Sequence, residues 1–402
     1  MVTVTVGIGF LTLLVGSAFL PIRMSDRAKI ETIFKNVRVG IQEDRYFKTP
    51  KFKFKRDIID GGSKIGTTYF YRIPLGLPAS VFSKASTNLK VFEDSLRKPV
   101  ELEFEDGYLQ VHVFDNPIPK LVHYSDITAE PPSKWAVPLG VSARGIVWHN
   151  FDHIPHMTVA GSTRFGKTVL LKTLMTWLIE HNPDDVEFYI IDLKGGLEFN
   201  RFAKLKQVKA VAKNPLEAVD VFQKILNDIR MREEHYLRNG YTDVTEAQLR
   251  KRTFVITDEA AQLTPQKYMM KAEKDMLAFC QHALGEICRI AGALGYRNIL
   301  ATQYPTVDCL PRQVKMNSDI KITFRLSTGY ASEVAIDEPG AENLPTDIKG
   351  RALVKTHYVR QVQVPYITIK EMEERLRKWE DEKVIEYREE TVETGENLVQ
   401  FI

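Results

Sequence analysis

Cysteine is scarce: Cys280, Cys288 and Cys309 are the only three in 402 residues. An odd count with no C-x-x-C pair argues against a disulfide scaffold and suits a reducing compartment. An excess of charge of one sign is also lacking. Lys and Arg number 55 against 52 Asp and Glu, leaving a net +3. No global field therefore commits the chain to nucleic acid, and any surface for a polyanion must be local. Internal repeats and low-complexity tracts are absent, while the apolar fraction of 44% and charged fraction of 27% are those of an ordinary globular protein.

Charge is missing altogether from Val2 to Ile22, VTVTVGIGFLTLLVGSAFLPI. At helical rise this run covers about 30 Å, the thickness of a bilayer's hydrocarbon core. Nothing basic precedes it, as a cleaved signal peptide would require. Basic residues follow instead, at Arg23, Arg27, Lys29, Lys35 and Arg38. The expectation is a single-pass anchor over residues 1–23, with the bulk of the chain cytoplasmic by the positive-inside rule. A buried strand or helix of a globular domain is the alternative.

Three regions follow. Residues 24–130 are strand-rich, and PVELEFEDGYLQVHVF alternates apolar and polar residues around an E-D-G turn, the pattern of a β-hairpin. SVFSKASTNLKVFEDSLR has helical spacing, so a small α+β domain is expected. The Pro-rich stretch AEPPSKWAVPLG, at about 129–140, reads as a linker. Over 131–368, apolar β-type runs alternate with helical segments, which predicts a mainly parallel sheet with helices on both faces. Residues 369–402, rich in i,i+4 charge pairs, read as a solvated helix and acidic tail.

The chemistry concentrates on one sheet edge. Gly161, Ser162, Thr163, Arg164, Phe165, Gly166, Lys167 and Thr168 spell G-x-x-x-x-G-K-T between a short apolar strand and an amphipathic helix. That strand–loop–helix frame is what a phosphate-binding loop needs. Its backbone N–H groups and the helix N-terminus surround the phosphates, Lys167 adds a point charge, and Thr168 offers a hydroxyl to Mg²⁺. A second strand, FVIT, runs into Asp258 and Glu259. Asp258 is expected to hold Mg²⁺ and Glu259 to polarise the attacking water. NILATQ ends in Gln303, whose amide can report on the γ-phosphate, and FYIID ends in Asp192, followed by Lys194.

With these motifs in order, the chain resembles the FtsK/SpoIIIE branch of P-loop ATPases. PHMTVAGSTRFGKT, YIIDLKGGLEF, FVITDEAAQL, ILATQYPTVDCLPRQVKMN and FRLSTGYASEVAIDEPGAENLP carry the likeness over about 150–355. The resemblance implies a RecA-like core of the additional-strand class and ATP hydrolysis with Mg²⁺ at the interfaces of a hexameric ring. It further implies movement of DNA through the pore. The arrangement of anchor, small domain and single motor looks like the coupling ATPases of conjugative elements, plasmids and phages of Gram-positive bacteria. A relaxase or transfer-channel protein would then be the partner. The loop carries Arg164-Phe165 where the family commonly has Gly-Ser, and Gly292 stands where relatives often carry a trans-acting arginine. Arg289, one helical turn earlier, is the candidate substitute, and Lys194, Arg312 and Lys315 are candidate DNA contacts. Two other readings fit the same residues: a type VII protein-secretion motor, and a nucleotide-gated scaffold with little turnover.

Two further stretches invite a function. HNFDHIPH places His149, His153 and His156 together, but Pro155 breaks the helical spacing that zinc ligands would need. RYFKTPKFKFKR interleaves basic and aromatic residues, which suits phosphate and base contacts, anionic lipid, or a Lys-guarded sheet edge.

Overall fold

The computed structural model describes residues 24–43, 46–60, 62–77, 86–306, 309, 311–356 and 358–381. The apolar run Val2–Ile22 and the acidic end of the tail lie outside them. No described helix is long and apolar enough to cross a membrane. The chain divides into two compact units, Met1–Asn116 and Pro117–Ile402.

In the first unit, α1 (Asp26–Asn36) begins at Ser25, whose hydroxyl accepts from the Ala28 N–H as an N-cap. Strands β1 (Ile41–Glu43) and β2 (Tyr46–Lys48) form a short ribbon. Strands β3 (Lys51–Asp60), β4 (Ser63–Arg72), β5 (Val100–Glu105) and β6 (Tyr108–Phe114) build an antiparallel sheet in the order β3-β4-β6-β5. The expected hairpin is β5–β6: Asp106 (φ +53°) and Gly107 (φ +77°) supply the two left-handed residues of a tight turn. Helix α2 (Ser86–Leu96) and α1 cover one sheet face with Ile30, Phe34, Tyr71, Phe92, Leu109 and Val111.

The second unit is a ten-stranded sheet. Its parallel half runs β11 (Val208–Ala212), β10 (Val186–Asp192), β12 (Arg252–Asp258), β13 (Tyr296–Thr302), β9 (Met157–Ala160) and β14 (Ile320–Phe324). Antiparallel strands β15 (Arg351–Lys355), β16 (Val359–Gln363), β7 (Ala136–Ser142) and β8 (Gly145–Asn150) extend it. Alternate residues of the central strands enter different cores, as a sheet covered on both faces requires. Ile190, Phe254, Ile256 and Ile299 pack with α3 (Lys167–His181) and α8 (Ile369–Leu376). Ile191, Val255 and Leu300 pack with α4 (Pro215–Asn239) and α5 (Lys271–Ile290). Two short helices, α6 (Arg312–Asn317) and α7 (Gly329–Ile336), flank β14. This is the α/β sheet with helices on both faces that the alternating pattern predicted.

Two boundaries differ from the sequence reading. The second half of the stretch 129–140 is no linker: Trp135, Val137 and Leu139 are buried, and from Ala136 the segment is edge-proximal strand β7, with a register shift at Pro138 accommodating its missing N–H. Helix α8 is no solvated helix either. Met372 and Leu376, four apart on one face, are 2% and 3% exposed within the main core.

Candidate nucleotide site

Parallel strands of one sheet end level, so β9, β10, β12 and β13 deliver their terminal residues to a common edge. The phosphate-loop sequence bridges β9 and α3 there. Gly161 is fixed by crowding, because a Cβ would lie 2.7 Å from Phe324 Cβ. Gly166 has φ +123°, and a Cβ would lie 2.9 Å from Phe324 Cε1 and 3.1 Å from Gly350 Cα. The bulky centre of the loop divides its labour. Phe165 is half-buried against the main core, and its carbonyl accepts from the Gly350 N–H at 2.9 Å. Arg164 is exposed and left-handed, with φ +70°.

Lys167, 4% exposed, lies 2.9 Å from Asp258 Oδ1 and 3.4 Å from Glu259 Oε2. Asp258 is fully buried, and neither of its oxygens accepts a hydrogen bond; the Lys167 contact is an ion pair off the hydrogen-bonding angle. A buried carboxylate with no donor is costly unless a cation compensates it. With the half-buried Thr168 at the start of α3, that donor set fits Mg²⁺.

Glu259 is held from several sides. It adopts φ +63°, a strained conformation for a non-glycine residue. Its Oε1 accepts from Thr302 Oγ1 at 3.3 Å and the Gln303 N–H at 3.1 Å, and Oε2 faces Lys167 and, at 3.3 Å, Lys194. Gln303 Oε1 in turn accepts from Thr163 Oγ1 at 2.8 Å, joining the end of β13 to the phosphate loop. A cleft of about 330 Å³ opens beside this carboxylate, lined by Lys194, Gln262, Tyr268, Gln303 and Tyr304 among others.

The structure thus brings Lys167, Asp258, Glu259 and Gln303 together with the loop. It also brings in Lys194, which the sequence placed among candidate DNA contacts. Asp192 explains the difference. Its buried carboxylate accepts from the N–H groups of Lys194, Glu198 and Phe199, while Gly195 (φ +79°) and Gly196 (φ +75°) turn the chain. The Lys194 side chain therefore points back at the carboxylates. Thr302 was missed because a threonine inside a strand carries no signal of its own.

The remaining candidates lie apart from this cluster. Arg289 is half-exposed and doubly bonded to Glu286, at 3.0 and 2.6 Å. A side chain at 292 would need its neighbours to give by a few tenths of an ångström, since a Cβ there meets Pro155 Cγ at 3.0 Å and His156 Nε2 at 3.3 Å. Arg312 is exposed on α6, whereas Lys315 is paired with Asp337 at 2.9 Å. Burial pushes His149 and His156 down to about 3, so both are neutral core imidazoles near physiological pH. Among the described residues no group of three His, Cys, Asp or Glu could hold a metal.

Comparisons with known proteins fit this geometry. Residues 125–249 match the model of the FtsK/SpoIIIE family. The DNA translocase FtsK of Streptococcus agalactiae is 31% identical over 234 residues, covering 54% of this chain and 28% of the relative. FtsK of Streptomyces coelicolor is 28% identical over 221 residues, covering 50% and 23%. The chain thus spans roughly a quarter of the length of these curated relatives. Among solved structures, the pCW3 conjugation coupling protein TcpA, in its monomer form with ATPγS, aligns over 88% of this chain and 99% of its own. The TM-score is 0.61 and the identity 22%. The cytoplasmic domain of the type VII secretion ATPase EccC of Thermomonospora curvata aligns over 64% and 31%, at TM-score 0.52 and 24% identity. These two likenesses are of fold.

Proposed function

We propose that the chain is a P-loop ATPase of the FtsK/SpoIIIE type, whose family model residues 125–249 match, and that it hydrolyses ATP to move DNA. The observation that carries the reading is the single cluster in which Lys167, Asp258, Glu259 and Gln303 meet the phosphate loop. DNA as the track rests on the translocases to which half the chain is similar. A hexameric ring, a membrane anchor over 1–23 and a coupling role for a mobile element extend the same reading. The uncharged N-terminal run supports the anchor and the fold likeness to a conjugation coupling protein supports the coupling role, while the ring follows from the family resemblance alone.

Within the site, Lys167 would exchange its carboxylate partners for the β- and γ-phosphates. Thr168 and Asp258 would hold Mg²⁺, which when bound neutralises charge on the phosphates. Glu259 would take a proton from the attacking water, its carboxylate aimed by Thr302 and the Gln303 N–H. Gln303, tied to Thr163, would carry the state of the loop into the segment after β13.

Lys194 is a positioning residue in this scheme, acting through Glu259 from 3.3 Å. Lys194→Ala should lower kcat about tenfold, the worth of one charged contact, with KM for ATP little changed, and Lys194→Arg should restore most of it. A variant that instead lost DNA stimulation at full basal kcat would return Lys194 to a DNA-contacting role. The function itself is tested by measuring ATP turnover with and without DNA.

A further inference from the structure

We propose that the first unit carries a site of its own for single-stranded DNA, on the sheet face opposite α1 and α2. The β3–β4 pairing sets its geometry. Phe52 and Tyr71 pair on the helix-covered face, so Lys51 and Arg72 point to the other side. A register shift between Phe52 and Phe54 then returns Phe54 to that same side, opposite Phe70. The two rings stack at 4.3 Å between centroids with an 18° interplanar angle, and Tyr108 meets both edge-on. Arg56 lies over the Phe70 ring at 5.7 Å.

Three features point to a ligand with both phosphates and bases. First, Phe54 is 40% exposed although it is stacked, so a ring platform faces water beside cations. Aromatic side chains on a basic sheet are what successive bases stack on, without sequence preference. Second, Lys51 and Arg72 are direct cross-strand partners. Like charges in that register destabilise a sheet unless an anion lies between them. Third, Lys51, Arg56 and Arg72 are exposed on the platform's own face along β3 and β4, whereas the carboxylates of that face, Glu101, Glu103 and Glu105, stand on β5 at the opposite edge. A strand running along β3 and β4 would place phosphates on the cations and a base on Phe54. A duplex keeps its bases inside and cannot use the ring.

The proposal rests on the DNA reading above for the identity of the strand. Its test is fluorescence anisotropy of the full chain with labelled oligo-dT and with a duplex, without nucleotide. Phe54→Ala should weaken oligo-dT binding about tenfold and leave duplex binding unchanged, and Phe54→Trp should preserve both. Lys51→Glu gives a second handle independent of folding. It turns a repulsive pair with Arg72 into an attractive one, so stability should hold or rise while the salt slope for oligo-dT falls by about 0.7 per lost phosphate contact. Unchanged oligo-dT binding in both variants, with duplex binding intact, would overturn this site and leave the translocase reading standing. No binding of either DNA form would overturn both. Loss of binding to phosphatidylglycerol–phosphatidylcholine vesicles, with oligo-dT binding unaffected, would assign the face to the membrane instead.

Discussion

Glu259→Gln should reduce ATP hydrolysis by about 10²- to 10⁴-fold while nucleotide binding is retained, the span over which a positioned general base acts. The amide is isosteric, so Thr302 Oγ1 and the Gln303 N–H keep an acceptor and the strained φ of +63° is unaltered. What disappears is the carboxylate's capacity to accept a proton, together with its attraction for Lys167 and Lys194. Binding should therefore hold or tighten, because Lys167 is released from one of its two partners. Single-turnover hydrolysis read beside equilibrium binding of a fluorescent nucleotide separates the two effects. Residual turnover within a few fold of the parent would remove Glu259 from the role of base.

Lys167→Ala should abolish nucleotide binding, and with it turnover, and should also destabilise the unliganded protein. Lys167 stands between two carboxylates that are 0% and 5% exposed. Removing one member of a buried ion pair typically costs about 3–5 kcal/mol, because the remaining charge is stranded. Lys194, 3.3 Å from Glu259 and 3.8 Å from Asp258, offsets part of that. The signature is a lowered thermal midpoint without nucleotide, larger than in Glu259→Gln, where Lys167 keeps Asp258 as its partner. A variant that bound ATP normally would contradict the phosphate-loop assignment, whereas unchanged stability would contradict only the buried pairing.

The cluster at the sheet edge was legible because its residues lie at fixed offsets from strands and helices that the chain specifies locally. Gly161 to Thr168, Asp258-Glu259 and Gln303 all sit where a strand stops, and parallel strands stop together. Residues whose direction depends on contacts distant in sequence were not legible. Lys194 turns toward Glu259 only because Asp192 caps the turn and two left-handed glycines redirect the chain. That Gly292 stands where the FtsK/SpoIIIE pattern often has arginine could be noted, but not that a side chain there would crowd Pro155 and His156. Composition misled in two places. The second half of the Pro-rich stretch 129–140 enters a strand from Ala136 onward, because Trp135, Val137 and Leu139 are buried in the core. The charge pairs of the C-terminal helix concealed the apolar pair Met372 and Leu376.

The same logic explains the unusual centre of the phosphate loop. Phe165 serves packing, joined to Gly350 by a backbone hydrogen bond, and Arg164 projects to solvent in a left-handed conformation. Neither occupies the cluster in which Lys167 meets Asp258 and Glu259. The loop's bulky pair is therefore compatible with a working site.

The most direct test of the central claim is the steady-state rate of ATP hydrolysis by the full chain at low salt, alone and with duplex or single-stranded DNA. The proposed function predicts a basal rate that rises severalfold with at least one form of DNA, with both rates lost in Glu259→Gln. A rate that no DNA changes, or tight ATP binding without measurable hydrolysis, would contradict it.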